Sequence, residues 1–140
     1  MMIQKLFLDT NVVVDLLGER DPFYDAISKI TTLADKGRIE LVVSSLTFAT
    51  TYYLLSRFEN RDVVKEKIRK FKVIIETADL TNQIIEKGLS SKFPDFEDSL
   101  QYYCALATGC NLIITRNGKD FKESAIPVLS PKEYLLSLRV

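Results

Sequence analysis

Three aspartates stand in chemically similar settings in distant parts of the chain. Asp9 ends the apolar run of LFLDTN, Asp98 closes FPDFED behind Asp95 and Glu97, and Asp120 ends TRNGKD behind Arg116, Asn117 and Lys119. Taken singly, each has an ordinary structural role. Asp, Thr and Asn after a strand make turns and N-caps, acids in a first helical turn complement the helix dipole, and Asn117-Gly118 is a turn signal. Brought together, three carboxylates repel unless protonated or neutralised. A hard divalent cation, Mg2+ or Mn2+, supplies that neutralisation, because it prefers oxygen ligands and completes its shell with water and phosphate oxygens. The chemistry that follows is metal-assisted cleavage of a phosphodiester.

Composition narrows the alternatives. The chain has no histidine, which excludes a Ser-His-Asp triad, a Cys-His pair and imidazole acid-base catalysis. Lys plus Arg and Asp plus Glu are 19 each, so any attraction for nucleic acid must be local. Arg116 and Lys119 flank the acids and are the candidates for substrate contact; Arg20, Lys92 and Arg57 are further candidates for the rim. Cys104 and Cys110, with no second ligand pair, read as small buried apolar residues. At 140 residues the expectation is one domain over 1–140, with a single core. No apolar run approaches the roughly 18 to 20 residues that span a bilayer, and the start lacks a signal-peptide pattern. A cytoplasmic protein without a membrane partner is the default.

The elements that must position the acids alternate. Strands are expected over 3–8, 41–45, 73–75 and 112–115, with a short fifth over 127–130. Between them, Asp21-Pro22 gives a cap and first helical residue for a helix closed by Gly37. A helix follows LVVSS. Asn60 caps the next, with Val63, Val64, Ile68 and Phe71 facing inward. Two more run from about Thr81 to Leu89 and from Asp98 to Gly109. The fold class is therefore α/β, a three-layer α/β/α sandwich with a central parallel sheet of four to five strands. Right-handed crossovers place every strand-to-helix loop along one edge, where ligands bind in open sheets. Asp9, Ser44, Ser45 and the 115–120 segment all belong to that edge.

LFLDTNVVVDLL, VSSLTFA, FEDSLQYYCALATGCNLIITRNGKDF and PVLSPKEYL together resemble a PIN domain of the VapC toxin type, over nearly the whole chain. The resemblance implies a Mg2+- or Mn2+-dependent ribonuclease acting on single-stranded RNA, with a protein antitoxin and a homodimer as expected partners. It carries Asp9 and Asp98 over as metal ligands and Asp120 as a third acid. Asn11 and Thr115 fall where relatives orient the first aspartate and the metal water, and Asn117 where many have a further aspartate.

One position departs from the family pattern. PIN domains usually carry a glutamate six residues past the serine ending strand two, and counting from Ser44 gives Thr50, a neutral and shorter side chain. Glu97 and Asp95 are the candidates to compensate. A PIN-like module that binds RNA or a protein without cutting is the alternative reading. A receiver domain would need an acidic pair after strand one, and a haloacid-dehalogenase phosphatase a second aspartate at position 11; Thr10 and Asn11 stand there instead.

Overall fold

The computed structural model describes residues 3–138. Five strands, β1 (Lys5–Leu8), β2 (Glu40–Ser44), β3 (Glu76–Ala78), β4 (Leu112–Ile114) and β5 (Val128–Leu129), form an all-parallel sheet in the order β3-β2-β1-β4-β5. Alternate residues of the central strands feed two cores. Leu6, Leu8, Leu41, Val43, Leu112 and Ile114 point to one side, while Phe7, Val42 and Ile113 point to the other. A strand buried on both faces cannot alternate polar and apolar residues, which explains the continuous apolar runs.

Among the described residues seven helices cover this sheet: α1 (Thr10–Leu17), α2 (Tyr24–Asp35), α3 (Ser45–Leu55), α4 (Arg61–Val73), α5 (Asn82–Leu89), α6 (Phe96–Ala107) and α7 (Pro131–Ser137). The first core takes residues from α1, α2, α4 and α7, the second from α5 and α6. The contact between α5 and α6 is close because residue 88 is glycine. A Cβ there would lie 2.8 Å from Ser99 Oγ and 3.1 Å from Leu100 Cδ2.

Most element ends differ from the sequence expectation by one or two residues, and three departures have a structural cause. The α2 helix begins at Tyr24 rather than at Pro22, because the Arg20 carbonyl already takes the amides of Phe23 and Tyr24 at 2.9 and 2.8 Å and holds Asp21 to Phe23 in a turn. Residues 73–75 are not a strand: α4 continues through Val73, Ile74 is its C-cap, and β3 starts at Glu76, registered against Val42. Ile74 and Ile75 owe their apolar character to packing under the helix end. Val63 is exposed, since the inward stripe of α4 is Val64, Ile68 and Phe71, and a neighbour one residue away is turned by about 100°. Both cysteines are free and buried.

The strand order changes direction at β1. From β1 the chain moves outward through β2 and β3, then returns through α5 and α6 to β4 on the other side of β1. The carboxyl ends of β1 and β4 therefore open a crevice between diverging connections, the location at which open α/β sheets bind ligands. Asp9 and Thr115 are the residues that follow these two strands.

Candidate active-site cleft

A cleft of about 290 Å³ opens at this crevice. Asp9, Glu97, Asp98 and Asp120 line it, as do Asn11, Gln101, Arg20, Arg116 and Asn117. Three segments contribute the acids: the N-terminus of α1, the first turn of α6, and a 3-10 turn over Gly118–Phe121.

Asp9 is 7% exposed and is the N-cap of α1. Its Oδ1 accepts from the Thr10 amide at 2.9 Å and from Gln101 Nε2 at 3.4 Å. Its Oδ2 accepts from Thr115 Oγ1 at 2.8 Å and Asn11 Nδ2 at 3.4 Å. A hydroxyl has one proton and two acceptor positions. Thr115 spends its proton on Asp9 and accepts from Asn11 Nδ2 and the Asn117 amide, at 3.2 and 3.1 Å. The hydroxyl thus has a single orientation. Every partner of the Asp9 carboxylate is neutral. Burial accordingly pushes its pKa up, the hydrogen bonds from Thr115, Thr10 and Gln101 pull the other way, and the Asp120 charge adds to the rise.

Asp98 lies half-buried in the first turn of α6, its amide capped by Asp95 Oδ1 at 3.0 Å. Burial, and then the charges of Asp9, Asp95, Asp120 and Glu97, push its carboxyl up to about 7. Asp120 is exposed at the cleft edge. These acids share one cleft, yet among the described residues no group of three acidic or cysteine side chains is gathered as a ready-made metal cage. The donor set nevertheless suits a hard cation. It is all oxygen, it carries mutual repulsion, and Gln101, whose Nε2 faces Asp9, has a buried Oε1 with no hydrogen-bond donor among the described residues.

The remaining candidates divide. Glu97 lines the cleft, whereas Asp95 is committed to the helix cap. Lys119 is exposed and does not line the cleft, because successive residues of a 3-10 turn are about 120° apart and Asp120 takes the inward direction. Arg116 does line it, already ion-paired to Asp15. The Thr50 hydroxyl bonds back to the Leu46 carbonyl at 3.4 Å and reaches none of the acids. Lys92 does not line the cleft, and Arg57 stacks on Tyr53 at 4.8 Å from the ring centre. Ser45 Oγ accepts the Leu80 amide instead of serving the site.

Sequence reasoning missed three contributors. Gln101, 3% exposed, ties Asp9 to Thr10 Oγ1 and Thr47 Oγ1 at 3.1 and 3.0 Å. Its spacing of three from Asp98 puts both on one helical face, the signal that was available. Thr47 completes that network at 2.8 Å from Thr10 Oγ1. Asp15 was missed because a lone acid within a helix reads as solvated.

A parallel α/β sheet with an acidic cleft at its direction change defines the class of this domain. The chain belongs to the PIN domain family, whose profile matches residues 5–119. It is similar to ribonuclease VapC1 of Aquifex aeolicus strain VF5, at 30% identity over 136 residues, 94% of this chain and 93% of that one. The fold matches a chain in the crystal structure of VapBC2 from Rickettsia felis bound to a DNA fragment from their promoter, with a TM-score of 0.69 and 18% identity over 91% of this chain and 98% of that one. VapC20 of Mycobacterium tuberculosis, described as a sarcin-ricin loop cleaving toxin, matches with a TM-score of 0.61 and 14% identity over 77% of this chain and 86% of its own. No helix among the described residues is long and apolar enough to cross a membrane.

Proposed function

We propose that this protein is a divalent-metal-dependent endoribonuclease acting on single-stranded RNA, and the toxin of a toxin-antitoxin pair. The observation that carries the reading is the Asp9–Asp98 centre. Two carboxylates from different segments are held in one cleft beside further acids, with no cation among the described residues paired to either; burial first, and then the neighbouring charges, push Asp98 up to about 7. A structural role does not call for that arrangement. Asp9 and Asp98, with Asp120 at the rim, would hold Mg2+ or Mn2+, ions that keep part of their water shell and tolerate an open donor set. The chemistry such an ion supplies when bound is Lewis acidity toward a phosphodiester.

The chain's own residues bind and orient. Thr115 and Asn11 fix the Asp9 Oδ2 lone pairs, Gln101 and the Thr10 amide fix Oδ1, and Arg116 and Arg20 give the cleft a cationic side for phosphate. Kinship with VapC1 supports the ribonuclease activity. The similarity to chains of toxin-antitoxin complexes from Rickettsia felis and Klebsiella pneumoniae supports an antitoxin partner.

A second reading, an RNA-binding module without catalysis, is favoured by one observation: the Thr50 hydroxyl turns back on its own helix and adds nothing to the acids. Incubation of end-labelled single-stranded RNA with the protein in Mn2+ and in EDTA separates the two. Cleavage in Mn2+ alone, lost in Asp98→Asn, is the expected result. Binding without cleavage at any metal concentration would establish the second reading.

A further inference from the structure

Among the described residues the cleft has two cationic lining residues, Arg20 and Arg116, and both reach the same carboxylate. Asp15 is 1% exposed, in the second half of α1. Arg116 Nε donates to its Oδ2 at 2.6 Å and Nη2 to its Oδ1 at 3.3 Å, a two-point grip. Arg20 Nε stands 3.5 Å from Oδ1. The Arg116 guanidinium also lies over the Phe23 ring, 3.9 Å from its centre, and the Arg116 amide donates to Asn11 Oδ1 at 3.4 Å. Its backbone is tied to the acidic centre while its side chain is clamped between a buried carboxylate and an aromatic face.

Two features argue against a purely structural ion pair. A buried pair is a weak source of stability compared with apolar residues of the same volume, and here one carboxylate is matched by two guanidiniums. The surplus positive charge falls beside the acids. A guanidinium has five N–H donors in a rigid fork. Asp15 takes the Nε proton and one from Nη2, and the Arg116 side chain remains 26% exposed. The remaining protons form an edge of fixed direction, suited to two oxygens of a phosphate.

We propose that Asp15 is a positioning residue that holds Arg116, with Arg20 beside it, as a preset clamp for a backbone phosphate of single-stranded RNA next to the Asp9–Asp98 centre. The proposal rests on the nuclease reading above. Asp15 touches no substrate; it acts by sparing the arginine the ordering cost of binding.

The test is steady-state cleavage of a labelled oligoribonucleotide in Mn2+, with fluorescence-anisotropy binding of the same RNA in Ca2+ over a salt series. Asp15→Asn, with its fold checked by circular dichroism, raises KM and the binding Kd about tenfold while kcat changes by no more than about twofold. Arg116→Gln weakens binding and lowers the slope of log K against log salt by about 0.7, the value for one phosphate contact on a single strand. The effects in the double variant are less than additive, because Asp15 works mainly through Arg116, with Arg20 the smaller share. Should Asp15→Asn fail to fold, Phe23→Leu loosens the same guanidinium from the exposed side and raises KM about threefold. Unchanged KM and Kd in folded Asp15→Asn, additive effects in the double variant, or a Phe23→Leu protein identical to wild type where it is the only folded variant would each overturn the clamp while wild-type cleavage left the nuclease reading intact. A wild type that neither binds nor cuts RNA removes both.

Discussion

Asp9 and Asp15 are both buried, six residues apart on the same segment, and the fold treats them in opposite ways. Four neutral donors surround Asp9, and its remaining electrostatic company is acidic. Two arginines and an aromatic face enclose the charge of Asp15 and its partner. Burying a carboxylate is costly unless it is paired, so Asp15 is complete within the chain and Asp9 is not. The deficit at Asp9 extends to Asp98, and on the proposed reading a cation from outside would fill it. Charge alone would not have distinguished the two residues; the sign of their neighbours does.

Substitutions should separate the two in kind. Asp9→Asn is expected to reduce RNA cleavage roughly 10³-fold, since metal stabilisation of the transition state is worth several kcal/mol and each 1.4 kcal/mol is tenfold. Its effect on the metal-free fold should stay within about 1 kcal/mol, as relief of repulsion offsets the lost acceptor. Asp15→Ala should do the reverse to stability, costing about 3 kcal/mol by leaving the arginines unpaired, which lowers the melting temperature by roughly 10 °C. Equal thermal losses in the two variants would end the distinction between an incomplete and a complete acid.

A smaller effect concerns pH. The Asp98 carboxyl rises from 3.8 to about 7 on folding, so the metal-free folded state binds a proton more tightly than the unfolded one between those values. A raised acid contributes stability that is fully present below pH 3.8 and is lost as pH rises to about 7. The Asp98→Asn variant lacks this loss. Its melting temperature relative to wild type should climb from pH 4 to pH 7 and then level off, as differential scanning fluorimetry in EDTA would record. Saturating Mn2+ should narrow that gap, because ligand at 100 Kd adds about 2.7 kcal/mol to the protein that binds it. A difference independent of pH would mean that Asp98 ionises normally.

The smallest expected change is a gain. Thr50 sits four residues after Leu46 and four before Leu54, both of which line the cleft, so the three share a helical face. Thr50→Glu should tighten Mn2+ binding by about three- to tenfold in calorimetry. An unaltered affinity would show that this face of α3 stands too far back for a carboxylate to matter.

Most of the sheet was legible because its strands are buried on both faces and read as apolar runs, and the acids were legible because they follow those runs. Errors arose where another constraint set the residue type. Ile74 and Ile75 are apolar as packing under α4, while β3, an edge strand of Glu76, Thr77 and Ala78, carries no run at all. Helix α1 contains three consecutive valines that have no helical period; it is recognisable by its cap alone. In the cleft, Gln101 and Asp15 act through partners 92 and 101 residues away. No local pattern encodes such pairs, whereas the Asp9-Thr10-Asn11 turn announces itself within three residues.

Gly88 takes no part in the cleft, yet it sets the gauge of the machine. Helix α6 bears both Asp98 and Gln101, and it rests against α5 at a separation that a single hydrogen atom permits; a methyl group would meet Ser99 Oγ at 2.8 Å. That hydroxyl is itself tied to the Phe96 carbonyl at 2.6 Å, at the very turn that presents Glu97 and Asp98. A methyl group at residue 88 would therefore press on Ser99, Leu100 and Phe96, the side chains of the α6 turn that also carries Glu97 and Asp98. The placement of the acids on α6 is thus constrained from behind, by the back of the helix, as well as by Gln101 in the opening they face.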